Sequence, residues 1–311
     1  MTELLTGWLA ATPGSMTPLL FAALGLILCE RAGVMNLGAE GLMAIGAVGA
    51  ALTVLATGSP WLGIALGALA GALLALPFGL AVVVFRAEQT LAGLALVAIG
   101  VGLAAVIGRE AMHKPFAGIA RLDLAPLSAI PVLGPMLFRQ DPLVYAALAM
   151  AAALGLGLAR TRLGLKLRAV GEDPATADAA GVDVQLQQLG AVVVGGALVG
   201  LAGAYLAGVA SRVWVDGMIA GRGWIAVALV VFAQWSPWRA VLGALLFGAA
   251  DALLPRLLAI GADVPIYLMA MLPFVLTIAV LTLVAVARRG RGRDAQPAAL
   301  GRTYLRQDRQ L

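Results

Sequence analysis

Residues 41–85 read GLMAIGAVGAALTVLATGSPWLGIALGALAGALLALPFGLAVVVF, without one Asp, Glu, Lys or Arg. About 18 apolar residues suffice for a helix to cross the hydrocarbon core of a bilayer, and this stretch is long enough for two. The turn signal Thr57-Gly58-Ser59-Pro60 divides it, because Gly ends one helix readily and Pro opens the next. Working outward, residues 91–108, 142–159, 184–211 and 264–287 are equally free of charge. All these runs are continuously apolar, whereas strands of a membrane barrel alternate apolar with polar residues over about ten positions. The pattern predicts an all-α fold, a polytopic integral membrane bundle of about eight or nine transmembrane helices.

Composition agrees. The chain is 62% hydrophobic and 12% charged, against roughly 45–50% and 25% in soluble domains, which excludes an ordinary water-soluble fold. Cys29 is the single cysteine and His113 the single histidine, so neither an intrachain disulfide nor a Cys/His metal centre is expected. The net charge of +5 is explained by arginines placed beside apolar runs, where cytoplasmic flanks belong, better than by binding to nucleic acid. The first residues lack the basic region and cleavage site of a secretory signal, so the first apolar segment is expected to be retained. Lys114 and Lys166 are the only lysines, and neither follows a glycine as a phosphate-binding loop requires. Any ATP is therefore expected to act on another polypeptide, with no cofactor and no catalytic group in this chain.

Residues 1–287 read as one transmembrane domain with a polar cytoplasmic loop at 160–188. Residues 288–311 read as a basic cytoplasmic tail, expected to be disordered. Arg160, Arg162, Lys166 and Arg168 open the loop without an intervening acid, and Arg288, Arg289, Arg291 and Arg293 open the tail. Positive flanks mark the cytoplasmic side, and the even number of helices between the two clusters returns the chain to the side it left. By alternation Arg86 lies inside and residues 109–141, with Glu110 and His113, lie outside. The interruption at Pro13, Gly14 and Ser15 predicts that the first helix proper starts near Thr17 and Pro18. Pairs four apart, Gly63/Gly67, Gly67/Gly71 and Gly196/Gly200, predict close helix packing.

Two polar segments stand out. Residues 168–185 read RAVGEDPATADAAGVDVQ. Asp173 can cap a helix, Pro174 suits its first position and Gly181 can end it. The product is a short helix whose small residues, Ala175, Ala177, Ala179 and Ala180, allow it to enter a groove on another protein or simply to connect its neighbours. Residues 30–40 read ERAGVMNLGAE. Either Glu30 and Arg31 form a snorkelling flank while Asn36 and Glu40 line a broken helix, or the segment is an ordinary cytoplasmic turn. Asp251, inside an apolar helix, faces a pathway or is neutralised by Arg256. Trp224 stacks on a planar solute or anchors at the interface, as Trp61, Trp235 and Trp238 are expected to do.

The segments ERAGVMNLGAEGLMAIGA, VGEDPATADAAGVDV and GRGWIAVALVVFAQWSPWRAVLGALLFGAADAL resemble the permeases of bacterial ABC importers for simple sugars, nucleosides and branched-chain amino acids, over about residues 15–287. Within that group the first segment, with Asn36, Glu40 and Gly41, is most similar to nucleoside-type permeases. The resemblance implies a location in the cell inner membrane with a cytoplasmic carboxyl terminus. It implies that the segment from Gly171 through Glu172, Asp173, Pro174 and Ala177 to Gly181 is a coupling helix that docks on an ATP-binding subunit. It also implies a second, related permease subunit as a heterodimer partner and an extracytoplasmic solute-binding protein, with membrane lipid around the bundle and no nucleic acid. Asn36, Glu40, Trp224 and Asp251 are the pathway candidates. A secondary transporter would want more ionisable residues in its spans. A lipid-directed enzyme would want an acid–base pair, a nucleophile or a metal cluster, for which residues 109–141 hold only Glu110, His113 and Asp123.

Overall fold

In the computed structural model, which describes residues 2–123, 126–259, 271, 274–279, 282, 286 and 295–305, the first helix, α1 (Thr2–Arg31), runs unbroken through Pro13 and Pro18. The expected start near Thr17 does not hold. A proline frees a carbonyl one turn back, and in a membrane helix hydroxyl side chains relieve such sites. Here the hydroxyls just before each proline bond back one turn, Thr12 to the Trp8 carbonyl at 3.0 Å and Thr17 to the Pro13 carbonyl at 2.8 Å, next to the Leu9 and Gly14 carbonyls that the prolines free and not on them.

Beyond a non-helical connection, α2 (Ala39–Thr57) and α3 (Pro60–Gly79) form the predicted hairpin. Gly58 takes the left-handed conformation (φ 72°), Pro60 opens α3, and the Ser59 hydroxyl accepts from the Leu62 amide. A π-helical turn, Leu80–Val84, prolongs α3. Then come α4 (Gln89–Ile107), α5 (Pro142–Arg160), α6 (Arg162–Glu172), α7 (Pro174–Ala179), α8 (Val184–Tyr205, prolonged by Leu206–Ser211), α9 (Arg222–Ala233) and α10 (Pro237–Ala259). Among the described residues no strand forms, and seven helices are long and apolar enough to cross a membrane. The chain is thus a multi-pass helical membrane protein. Of the predicted helix at 264–287 only 271, 274–279, 282 and 286 are described, all helical; the rest lies outside the described residues.

The core forms where α8 meets α2 and α3, and glycine explains why. Gly46, Gly67, Gly71, Gly196 and Gly200 let the three backbones touch: a Cβ on Gly200 would stand 2.7 Å from the Cα of Gly71 and 2.8 Å from the Gly67 carbonyl oxygen. This is the small-residue packing that the spacings 67/71 and 196/200 predict.

Contacts sort the loops into two ends. At one end His113 N–H donates to the Trp214 carbonyl (3.0 Å), Phe116 N–H to that of Arg212 (3.1 Å), and the buried Tyr205 hydroxyl to Asp141 (2.7 Å). At the other end lie residues 31–33, α6 and α7. There Arg86 shares a 370 Å³ recess with Asp178, Gly181, Asp183 and Tyr304. The relative sides of Arg86, 109–141 and 160–188 follow the alternation read from the sequence.

Two readings change. The polar loop is not merely a loop with one short helix, since α6 precedes α7 and buries Gly164, Leu167, Val170 and Gly171. Nor are residues 295–305 a free tail. Ala299 N–H donates to the Gly171 carbonyl at 2.9 Å and Gly301 N–H to that of Gly33 at 3.2 Å, while Pro297 and Ala299 are buried. The run Ala-Gln-Pro-Ala-Ala-Leu-Gly at 295–301 carries no charge that burial would leave unpaired. Residues 287–294 and 306–311 lie outside the described residues.

Candidate functional site

Residues 32–38 are not an ordinary surface turn. Ala32, Gly33, Val34, Asn36 and Gly38 are all buried, although none is helical. Gln89 accepts from the Met35 amide at 2.7 Å, and the Asn36 side-chain oxygen accepts from the Gly38 amide at 2.9 Å. Asn36 Nδ2 is the one buried side-chain nitrogen or oxygen among the described residues without a hydrogen-bond partner. Buried amides are nearly always paired, and the candidate partner of this one is the Cys29 thiol near the end of α1.

Glu40, in the first turn of α2, crosses to a second break. Its Oε1 accepts from the Gly221 amide and its Oε2 from the Gly223 amide, each at 2.8 Å. Gly221, left-handed at φ 83°, is the N-cap of α9 and has no side chain with which to cap it. One carboxylate thus supplies the cap that α9 lacks while sitting at the start of α2, so two helix N-termini share one negative charge. Glycine is needed at 223, because a Cβ there would meet the Glu40 backbone at 2.6 Å from its Cα.

This junction lies at membrane depth. The twelve residues of α9 span about 18 Å at 1.5 Å per residue, well short of a core of about 30 Å. The far end of α9 is tied to the end of the bundle that carries α7: Trp235 Nε1 donates to Glu30 at 2.5 Å, and Arg31 Nε to the Trp235 carbonyl at 3.0 Å. The expectations for Glu30 and Trp235 are corrected here. Both are buried, at 4% and 5% exposure, because each satisfies the other's polar atom away from water. Arg31, half-buried, is bonded rather than snorkelling.

From the opposite end residues 212–221 descend to Gly221 without helical structure, over a 70 Å³ cavity lined by Glu40, Ala44, Ala104, Trp214 and Asp216 among others. Asp216, Gly217, Ala220 and Trp224 are exposed along this descent. Arg222, at its foot, donates to both oxygens of Asp251 at 3.1 and 3.2 Å. Asp251 is therefore paired with Arg222 and not with Arg256, whose guanidinium packs beside Gly7 of α1. Five residues along a helix is more than one turn, so Arg256 points away from Asp251. Both members of the pair are about one quarter exposed (24% and 29%). Asp251→Leu should lower stability by about 1 to 2 kcal/mol, less than for a fully buried pair because Arg222 keeps its bonds to the Met218 and Ile219 carbonyls, whereas Arg222→Met with Asp251→Leu should restore most of the loss. Unfolding of both variants in bicelles checks this; equal losses would contradict it.

The second candidate segment is α7. Asp173 accepts from the amides of Ala175 and Thr176 at 3.0 Å each and from the Thr176 hydroxyl at 2.5 Å. Those Thr176 bonds, hydroxyl first, hold its carboxyl below the usual aspartate range, so the cap stays ionised near neutral pH. Gly181 (φ 81°) closes the helix, with open space around it. Pro174 fills the first position. Glu172, Asp173, Ala175, Thr176, Ala179 and Ala180 face outward. Ala177 does not: at 3% exposure it packs with Val170 and Val184, so it holds the knob to the bundle. Gly171 is also internal, its Cα against the Arg31–Gly33 backbone.

Sequence reasoning singled out Asn36, Glu40, Trp224 and Asp251 separately. The structure brings Glu40 to the start of α9, one turn from Trp224, and joins Asp251 to Arg222 there. Sequence reasoning does not identify Gly221 and Gly223 as partners of Glu40, although a helix that opens Gly-Arg-Gly with no capping side chain is a usable signal. His113 is exposed in the loop after α4, as expected.

A family model described as branched-chain amino acid transport system / permease component matches residues 10–281. A protein of Haloferax volcanii, provisionally named a glucose ABC transporter permease, is 38% identical over 97% of this chain and 98% of its own length. A nucleoside ABC transporter permease of Lactococcus lactis is 34% identical over 93% of this chain and 94% of its own. A guanosine ABC transporter permease of Bacillus subtilis is 34% identical over 98% of each. No solved structure was found to match. The family model covers most of the chain and these relatives match nearly its whole length, so the chain belongs to the family of branched-chain amino acid transport system permease components.

Proposed function

We propose that the chain is the membrane-spanning permease subunit of an ATP-driven importer of a small polar solute, a nucleoside in the first instance and a sugar in the second. The names of its relatives, glucose, nucleoside and guanosine permeases, favour these two classes. The observation that carries the mechanism is the exposed descent at 212–221. Irregular backbone does not face lipid, because its amides would be unsatisfied, so this surface borders water or another protein. A solute pathway shared with a second, related permease satisfies both conditions. On this reading Glu40 and Asn36 set the floor of the pathway, Trp224 offers a flat apolar face to a base or sugar ring, and the Arg222–Asp251 pair keeps α9 and α10 aligned beside it.

In the same reading α7 docks in a separate ATP-binding subunit through Glu172, Asp173, Pro174 and the surface from Ala175 to Gly181, with Ala177 and Gly171 as its internal supports. ATP is hydrolysed on that subunit. An extracytoplasmic binding protein delivers the solute, α7 and the carboxyl terminus face the cytoplasm, and the bundle sits in the inner membrane. The test is the reconstituted complex. Asp173→Lys reverses the capping charge and Gly181→Leu forces a side chain into a left-handed position, so both should cut solute-stimulated transport by about tenfold or more. Unchanged transport in both variants would count against the reading, as would a chain that purifies as a self-contained oligomer without an ATPase.

A further inference from the structure

The coupling role of α7 leaves residues 295–305 without one, although they touch every part of the joint. Ala299 N–H donates to the Gly171 carbonyl (2.9 Å) and Ala298 N–H to the Glu172 carboxylate (3.2 Å), at the end of α6. Tyr304 donates from its hydroxyl to Asp178 of α7 (3.0 Å), and its ring packs on the small cluster of Val170, Ala177 and Val184. Gly301 N–H donates to the Gly33 carbonyl (3.2 Å), inside the non-helical connection between α1 and α2. Gly301 also lies against Met35, with the Met35 Cε 3.2 Å from where its Cβ would be. Ala299 is 7% exposed and Leu300 packs on the main core.

One short segment is thus bonded to α6, to α7 and to the connection that leads through Asn36 to Glu40. α7 is only six residues long, too short to be rigid alone, since isolated helices of that length are unstable in water. Its own cluster is three buried residues. Without a second attachment, a pull on α7 would be absorbed by local opening rather than passed to the bundle.

We infer that residues 295–305 form a strap that makes α7 and the α1–α2 connection move as one piece, so that a displacement at α7 reaches the Glu40 junction through Gly33. This rests on the reading of α7 as the ATPase contact. It assigns the segment a positioning role and no contact with solute.

The test uses the full transporter complex in nanodiscs, with the chain either truncated after residue 294 or carrying Tyr304→Phe. Hydrogen exchange is followed at amides 32–38 and 171–181, and transport is measured per ATP hydrolysed. Truncation removes four hydrogen bonds and should speed exchange in both segments by about tenfold or more, while α3 and α8 stay unchanged. Transport per ATP should fall by about tenfold with the ATPase still bound. Tyr304→Phe, which removes one hydroxyl, should give about a fivefold effect on exchange at 171–181, and it carries the test if the truncated chain fails to accumulate. Unchanged exchange at 32–38 after truncation, or unchanged exchange at 171–181 in Tyr304→Phe, would overturn the strap. Failure of the underlying reading shows differently: Asp173→Lys would then remain fully coupled, while the exchange data still decide whether the strap exists.

Discussion

Glu40→Ala should destabilise the protein by about 3 kcal/mol and abolish solute transport. The carboxylate accepts two backbone hydrogen bonds at 2.8 Å, from Gly221 and Gly223, and no other side chain caps α9. Removing it orphans two amides about 18 Å, by the length of α9, from the end of the bundle that carries α7, beside a cavity of only 70 Å³ in which a neutral water is a poorer acceptor than a carboxylate. It also removes the negative charge that two helix N-termini share. Glu40→Gln should be intermediate, since its amide oxygen can still accept one bond while its nitrogen faces the second donor. Glu40→Asp keeps the charge and loses reach, so it should retain more stability than Gln. Unfolding in bicelles gives the stability order, and solute uptake into proteoliposomes gives the function. Full uptake by a stably folded Glu40→Ala chain would show that the junction is neither a structural cap nor part of the pathway.

The consequences of Glu40 illustrate where the sequence could be read and where it could not. Span positions and their alternation were legible because hydrocarbon imposes one requirement on every lipid-facing residue, and a linear run reports it directly. The hairpin at Gly58 and the cap at Asp173 were legible because turn and cap chemistry is local. Glu40 stood out as a charge beside an apolar run, but its partners are Gly221 and Gly223, amides that carry no side-chain signature and lie far away along the chain. For Asp251 the sequence offers Arg256 as the only cation nearby along the chain, beside a pathway role; the partner in the structure, Arg222, is set by how α9 meets α10. Glu30 and Trp235 were read separately as surface groups for the same reason. The interruption at Pro13 to Ser15 does not delay the first helix, because the rule for soluble helices is too strict in a membrane bundle, where tight packing sustains a proline. Residues 295–305 were read as disordered from the arginines that precede them, although their own composition is small and uncharged.

Glycine offers the sharpest separation of structural claims, because the structure divides equal-looking residues into two kinds. Gly200→Val should prevent stable folding, and Gly200→Ala should already cost about 3 kcal/mol, at the upper end of overpacking effects. The Cβ of residue 200 would stand 2.7 Å from the Gly71 Cα, 2.8 Å from the Gly67 carbonyl oxygen and 3.0 Å from the Gly71 nitrogen. All three are backbone atoms of α3, so no side-chain rotation relieves the clash; α3 and α8 must separate along the seam that also holds Gly46 and Gly196. In lipid, little hydrophobic force drives helices together, so packing lost at close contact is not recovered by burying other apolar surface. Gly102, Gly157 and Gly190 are helical glycines with nothing within 4 Å of a built Cβ. Alanine at those three positions should leave stability unchanged or raise it by a few tenths of a kcal/mol, through the better helix propensity of alanine. Comparing the four alanine variants by unfolding in bicelles removes composition from the argument, since each makes the same chemical change. A Gly200→Ala chain as stable as Gly190→Ala would mean that α8 does not touch α3 as described. The core that positions Glu40 against α9 would then have to be built on some other contact.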